Sequence, residues 1–491
     1  MITYSNSFTQ YLKSSETRIW AGLAIGLGIL YFILLRFLFP IPSFYSDSFT
    51  WVGAANTGQP VTFRPVGYSR IIAFLRFFSV SDLPLIAAQY FSNLFANLFL
   101  FLTACYLFRI TRVFKTVLYV LLVVNPFYLF YSNYVSSDAF FNCLAVVWFT
   151  LLIWIMHRPG WAIIFLQLLV LAALFELRYN AIFFPAISTI AFLLSPMSRG
   201  RKAISIGISV ALIASIVYIT TSETRKFTGI KTFSAFSGWQ LANDALHIVQ
   251  HSKIDTTVIR DNEVKHFAGF INHFFDTARQ TFPDSAATAV FMWHINSPLK
   301  RYMNVYPKRS RYYFKTWNTL GPVYGNFGKT LILHKPLSYL QHFVVPNAGA
   351  YFVPPLEIYE TYMENRETIP AVAVKYFHYA SNKTPAHHPV AYAAVFTPIR
   401  YLFIIINIVL VLTGVYFILQ KKYRQMPLLF NQTLVCFAAF FIANFFFVVL
   451  LAPSVFRYHI FILTLSFPVL TYLAQELAKP RQRHDVEVLV Q

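Results

Sequence analysis

The chain has 491 residues, 57% of them hydrophobic and only 12% charged, with mean hydropathy +0.54 and a formal net charge of +21. A soluble domain carries about 25% charged residues, so the composition excludes a globule with a single anchor and implies an all-α polytopic membrane protein. Cys105, Cys143 and Cys436 all lie inside apolar runs, with no CxxC and no HExxH, which argues against a disulfide scaffold or a metal site of those kinds.

The first apolar run, Ile19 to Phe39, is long enough to cross a bilayer, and no small-residue cleavage site follows it. It reads as a retained span. A long loop at 40–83 comes next. Further apolar runs at roughly 84–108, 116–132, 138–156, 161–176, 181–195 and 203–220 follow, then 398–419, 428–451 and 458–478. That makes about ten predicted spans. The runs at 161–176 and 181–195 are short, and fusing them into one bent span would invert everything downstream.

Charge separates the two readings, because cytoplasmic loops favour Lys and Arg. With the N-terminus inside, the inside loops hold Arg109, Arg112 and Lys115, then Arg158, then Arg199, Arg201 and Lys202, then Lys421, Lys422 and Arg424. The outside loop at 131–138 has no basic residue, that at 176–180 only Arg178, and that at 452–457 only Arg457. Fusing the short runs would place Lys421, Lys422 and Arg424 outside. Ten spans with both termini cytoplasmic, ending in a basic tail at 479–491, is the consistent count. Much of the positive charge thus falls in short loops, which argues against nucleic acid as a partner.

Residues 1–220 then form an N-terminal membrane module and 398–478 a C-terminal one. Between them, 221–397 is a large extracytoplasmic segment with ten of the thirteen histidines and a net charge of about +7. Helices are expected at 239–251 and 261–280, and the Pro-rich stretches at 345–355 and 384–398 are expected to be loops. His387-His388 is a weak hint of metal binding, the other histidines being scattered.

This topology gathers unusual polar residues on one side. The 40–83 loop holds Asp47, Arg64 and Tyr68; the next outside loop holds Tyr131, Asn133 and Asp138; then come Glu176, Arg178, Tyr179 and Asn180, and last Arg457, Tyr458 and His459. Ionisable groups at membrane depth are expensive and usually have a partner or a task. Each also has a plainer reading. Asp47 and Asp138 could cap helices, Arg178 and Arg457 could snorkel at span ends, and His459 could be a packed core histidine. A departing lipid phosphate calls for cationic stabilisation, which arginine forks supply. An attacking hydroxyl calls for a base, and an ionised carboxylate can take its proton as attack proceeds.

Ser46-Asp47-Ser48, Ala54-Ala55-Asn56-Thr57-Gly58, Phe63-Arg64-Pro65-Val66-Gly67-Tyr68, Asn125-Pro126-Phe127-Tyr128, Tyr131-Ser132-Asn133 with Ser137-Asp138, and Glu176-Leu177-Arg178-Tyr179-Asn180 follow one another in loop order. With Trp317 to Gly328 and His334-Lys335-Pro336, the chain resembles the GT-C superfamily of polyprenyl-phosphate-sugar-dependent glycosyltransferases, including protein O-mannosyltransferases and bacterial aminoarabinose transferases. The resemblance implies Asp47 as catalytic base, Asp138 as a second active-site acid and Arg64 as a donor-phosphate contact. Arg178 and Arg457 are further phosphate candidates by position, and Tyr68, Tyr131, Asn133 and His459 are substrate-cavity candidates. It implies a polyprenyl-phosphate-linked sugar donor, a glycan, lipid or protein acceptor, and an extracytoplasmic site in a membrane, expected to be a bacterial inner membrane. Many members pair two acidic residues in the first loop. Here Asp47 stands alone between serines, so no cofactor is fixed and a divalent cation stays open.

Two rival readings make distinct demands. An oligosaccharide ligase or polymerase using lipid-diphosphate donors would lean on His294, His334 and Arg457. A lipid-sugar transporter or flippase would need polar or broken helices near the midplane and repeated halves.

Overall fold

The computed structural model describes residues 7–59, 63–277, 289–384 and 390–479. His387, His388 and the tail from 480 onward lie outside the described residues. The protein is 78% helical, and the described residues contain no strand. Among the described residues eight helices are long and apolar enough to cross a membrane: Ser15–Leu38, Leu83–Phe108, Arg112–Ser132, Asp138–His157, Arg199–Thr228, Val390–Leu419, Leu428–Leu451 and Ile460–Leu477. They coincide with eight of the ten predicted runs. The other two runs form shorter apolar helices, Trp161–Leu177 and Tyr179–Leu194. These do not fuse, because Arg178 between them is extended, with φ −152° and ψ 129°. The architecture is that of an all-α, multi-pass membrane protein.

The bundle has an inside and an outside. Asp138–His157 and Ile460–Leu477 are mostly buried, whereas Ser15–Leu38 and Arg199–Thr228 expose most of their apolar surface, including Ile19, Leu30, Ile33 and Phe37. Such outward apolar faces suit hydrocarbon, where helices satisfy their own backbone groups. The inner helix Leu83–Phe108 carries a polar stripe at four-residue spacing, so one face meets its neighbours. Gln89 donates to the Ser132 and Tyr134 carbonyls, Asn93 to the Ala139 carbonyl and Asn97 to the Leu122 carbonyl. These bonds tie it to the helices Arg112–Ser132 and Asp138–His157.

A second hydrophobic core forms between Ala235 and Leu331. Its centre is the pair Phe236–Val249 and Tyr313–His334, with Trp239 stacked on Trp317 at 4.6 Å between ring centroids. The two backbones approach so closely at Gly238 that any Cβ there would run into the Gly321 carbonyl. The helices predicted at 239–251 and 261–280 appear as Phe236–Val249 and Asn262–Thr277. Phe63 from the first loop joins this core, its ring 4.4 Å from Trp317.

Two expected loops are corrected. Residues Val345–Phe352 are helical and continue directly from the π-helical turn Leu340–Val344, the irregular turn that precedes Pro346. The stretch from Val390 is already the helix Val390–Leu419, which accommodates Pro398 in its interior.

Candidate functional site

Four chain segments meet where helices end. Asp47 lies beyond the C-terminus of Ser15–Leu38, and Asp138 opens Asp138–His157. Arg178 follows Trp161–Leu177, and Arg457 precedes Ile460–Leu477. Backbone pairing holds the first two segments together. The Ser43 N–H donates to the Asn133 carbonyl at 2.8 Å, and the Val135 N–H donates to the Ser43 carbonyl at 3.0 Å. Ser48 Oγ donates to the Val135 carbonyl at 2.8 Å.

Asp47 occupies the N-cap position of Ser48–Thr57, yet its side chain makes no capping bond. Its carboxylate turns to arginines instead. Arg64 Nη2 donates to Oδ1 at 2.5 Å, and Arg457 Nη1 to Oδ2 at 3.4 Å. Asp138, at the first position of its helix, accepts from Ser136 Oγ at 2.6 Å and Tyr359 Oη at 3.4 Å, and it pairs with Arg178. The capping expectation thus gives way at both carboxylates, and Arg178 and Arg457 point into the protein rather than snorkelling.

Tyr458 joins the two pairs. Arg457 Nη2 donates to its hydroxyl at 3.2 Å, and the guanidinium carbons of Arg178 and Arg457 each stand 5.1 Å from its ring centroid. On the far side, the Tyr45 hydroxyl donates to Ser136 Oγ at 3.1 Å, which in turn donates to Asp138. The result is one network: Arg64, Asp47, Arg457, Tyr458, Arg178, Asp138, Ser136 and Tyr45. Its charged side chains are set deep, yet Arg64, Asp47, Arg457 and Arg178 keep 11, 20, 18 and 16% of their surface accessible. That residual access is what a small polar ligand needs.

The electrostatics follow from this crowding. Burial would raise the Asp47 pKa, but Arg64 and Arg457 outweigh it and hold the carboxyl well below the usual carboxylate range. Burial likewise pushes the Tyr458 phenol up, and Arg457 and Arg178 together bring it below its ordinary value. Glu357 faces the same group of charges. Burial raises its pKa, Arg457 pulls it back and Asp47 adds to the rise. Its backbone is left-handed, with φ 49°, as are Met363, Glu364 and Asn365. Side chains of that kind seldom adopt this region.

This unusual segment clamps the first loop. The Met363 N–H donates to Ser43 Oγ at 3.0 Å, Tyr362 Oη to the Ile41 carbonyl at 2.6 Å, and Ser46 Oγ to the Glu364 carboxylate at 3.2 Å. The Phe456 N–H donates to the Pro355 carbonyl at 3.0 Å. Gly67 makes room on the other flank, since a Cβ there would strike the Glu176 carbonyl.

No family model, curated protein or solved structure matches the chain. The geometry therefore carries the functional argument alone.

Asp47, Asp138, Arg64, Arg178 and Arg457 come together as the sequence led us to expect. Tyr131 packs beside them, stacked on Phe127 and buried. Tyr68, Asn133 and His459 do not line the accessible cluster. Tyr68 is enclosed and donates to Gln89 at 2.7 Å, and Asn133 donates to the Tyr392 hydroxyl at 2.8 Å. His459 meets Ser454 Oγ at 2.9 Å beneath Tyr351. Each bonds inside the bundle, although among the described residues Asn133 Oδ1 and His459 Nδ1 have no partner. His334 bonds its own helix at the Thr330 carbonyl, at the opposite end of Tyr313–His334 from Trp317. Arg457, which the ligase reading also names, does belong to the network. Tyr45, Ser136, Glu357 and Tyr359 are the site residues that sequence reasoning left out, and Tyr458 was named only as a polar neighbour of Arg457.

Among the described residues no group of three His, Cys, Asp or Glu side chains is placed to hold a metal. The donor set also fits a divalent cation poorly, because both aspartates are already matched to guanidinium groups.

Proposed function

We propose that the protein is an inverting membrane glycosyltransferase that moves a sugar from a polyprenyl-phosphate carrier to an acceptor hydroxyl. The observation that supports this reading best is the accessible network in which two carboxylates share three arginines at the mouth of the bundle. In this reading the chain crosses the membrane ten times, with both termini cytoplasmic and the cluster facing the other side.

The chemistry is a single displacement. The acceptor oxygen bonds to the anomeric carbon as the bond from that carbon to the phosphate oxygen breaks, and polyprenyl phosphate leaves with the electron pair. The hydroxyl proton passes to Asp47. Arg64, Arg457 and Arg178 meet the charge developing on the leaving phosphate.

The depressed pKa of Asp47 makes it a weak base while its arginines hold it. A donor phosphate competes for those same guanidinium groups. As it takes them, Asp47 loses its counter-charges and its basicity recovers. Donor binding and base activation are then a single event.

Transfer from a radiolabelled polyprenyl-phosphate sugar tests this with the purified protein. Asp47→Asn should lower kcat by about 10²–10⁴ without raising the donor KM, since Arg64 and Arg457 lose a competitor. Wild-type turnover in that variant would remove Asp47 as the base.

A further inference from the structure

Arg64 does not end the cationic surface. Its guanidinium carbon lies 5.9 Å from the ring of Trp293, a residue that stays 44% exposed despite its size. Across the same indole, Lys300 Nζ stands 5.5 Å from the ring centroid. Lys300 is ringed by aromatics: its ammonium is also 4.8 Å from Trp239 and 5.5 Å from Tyr313, and it donates to the Tyr313 hydroxyl at 2.9 Å. Among the described residues it forms no ion pair, and the shift of its amine, pushed down to about 8, has burial as its cause.

A cation placed this way is costly. It is half-buried without a carboxylate, and it sits in the first turn of Pro298–Val305, where the helix dipole repels positive charge. Aromatic faces offset part of that cost, and an anion would offset more. The surrounding chain reinforces the field: residues 300–315 contain Lys300, Arg301, Lys308, Arg309, Arg311 and Lys315 and no acidic residue.

We propose that Trp293 and Lys300 form the acceptor subsite of the transferase and that it takes an anionic sugar. The ring lies against the exposed part of Trp293, and its phosphate or carboxylate meets Lys300. The hydroxyl edge of the sugar then points along the indole toward Arg64 and Asp47. The role as acceptor site rests on the glycosyl-transfer reading; the binding does not.

Isothermal titration of the full-length protein in detergent tests it with three probes: glucose 6-phosphate, glucose and inorganic phosphate. Glucose 6-phosphate should bind with a Kd about tenfold or more below that of either other probe. Lys300→Met keeps the alkyl stem on Trp239 and removes the charge, and it should weaken this binding by about tenfold or more, as should Trp293→Leu. Lys300→Arg should retain it, and an unchanged melting temperature in Lys300→Met shows that the fold is intact. Equal affinity for inorganic phosphate would make this a plain anion site and overturn the sugar assignment. Undiminished binding by Lys300→Met, or a flat wild-type titration, would overturn the subsite. A protein that binds glucose 6-phosphate as expected but transfers no sugar would refute the transferase reading alone.

Discussion

Tyr458 is what lets two arginines lie close together. Arg178 and Arg457 repel each other, yet each finds the face of the same phenol, and each has its own carboxylate. The arrangement depends on both acids. Asp138 is almost wholly enclosed, so replacing it by Asn leaves Arg178 buried without a counter-charge, which costs about 3–5 kcal/mol in a buried pair. Asp138→Asn and Arg178→Gln should each lower the melting temperature clearly, while the double variant should lose much less than the two losses added. Thermal unfolding of all four forms measures this, and strict additivity would show that the pair is not a unit. The five charged members were legible in the sequence because charge is rare here: Asp138, Arg178 and Arg457 each stand at a span end, and Asp47 and Arg64 lie in the first outside loop. Tyr45 and Ser136 were not legible, since serine and tyrosine are common here, tyrosine alone occurring 30 times, and neither position stands out; Tyr458 was visible only as a neighbour of Arg457. Asp47 was ambiguous for a physical reason: its backbone does sit at an N-cap, and only the direction of its side chain separates the two roles.

The long helices were readable from composition because hydrocarbon demands uninterrupted apolar runs. The element at 345–352 was misread because the prolines of 345–355 suggested a break, whereas the helical turns from 336 run on past Pro346 through the π-helical Leu340–Val344. The left-handed Glu357, Met363 and Glu364 left no sequence signal, because neither residue type favours that region; Met363 and Glu364 are bonded to the first loop there. The helix Phe236–Val249 holds a further feature that sequence could not expose. Asp244 is fully buried; Gln240 and Asn243 donate to one oxygen at 2.8 and 3.2 Å, and among the described residues the other oxygen has no partner. Burial raises its pKa to about 8, and the two amide donors only partly oppose that. An unfolded aspartate titrates near ~3.9. Between those values the folded protein holds a proton that the unfolded chain has lost, so this residue's contribution to stability falls as pH rises and levels off above about 8. Asp244→Asn carries no such proton. Its melting temperature relative to wild type should therefore climb between pH 5 and pH 8 by roughly 2–4 °C or more. A pH-independent difference would mean that Asp244 is not protonated in the folded state.

At the scale of the whole molecule, the bundle has two chemically different ends. One carries the arginine–aspartate network. The other collects basic loops: Thr111 and Arg109 meet Gln475, Arg201 donates to the Pro159 carbonyl, and Gln432 donates to the Leu194 carbonyl. Arg158, Arg199, Lys202, Lys421 and Lys422 belong to the same connections. Short basic loops are retained in the cytoplasm, so the network should face away from it, along with the unit built on Phe236–Val249. Two glycines allow a direct test, because both are exposed and a Cβ at either meets nothing within 4 Å: Gly200 in the basic end and Gly269 in Asn262–Thr277. The native cysteines are all buried, so they should stay silent. A membrane-impermeant maleimide added to intact cells should label Gly269→Cys, and should label Gly200→Cys only after the membrane is opened. The reverse pattern would mean either that the whole protein is turned over or that one of the short helices, Trp161–Leu177 or Tyr179–Leu194, does not cross. Labelling of both positions in intact cells would break the ten-span count. It would mean that Arg199–Thr228, the one candidate span between the two positions, does not cross.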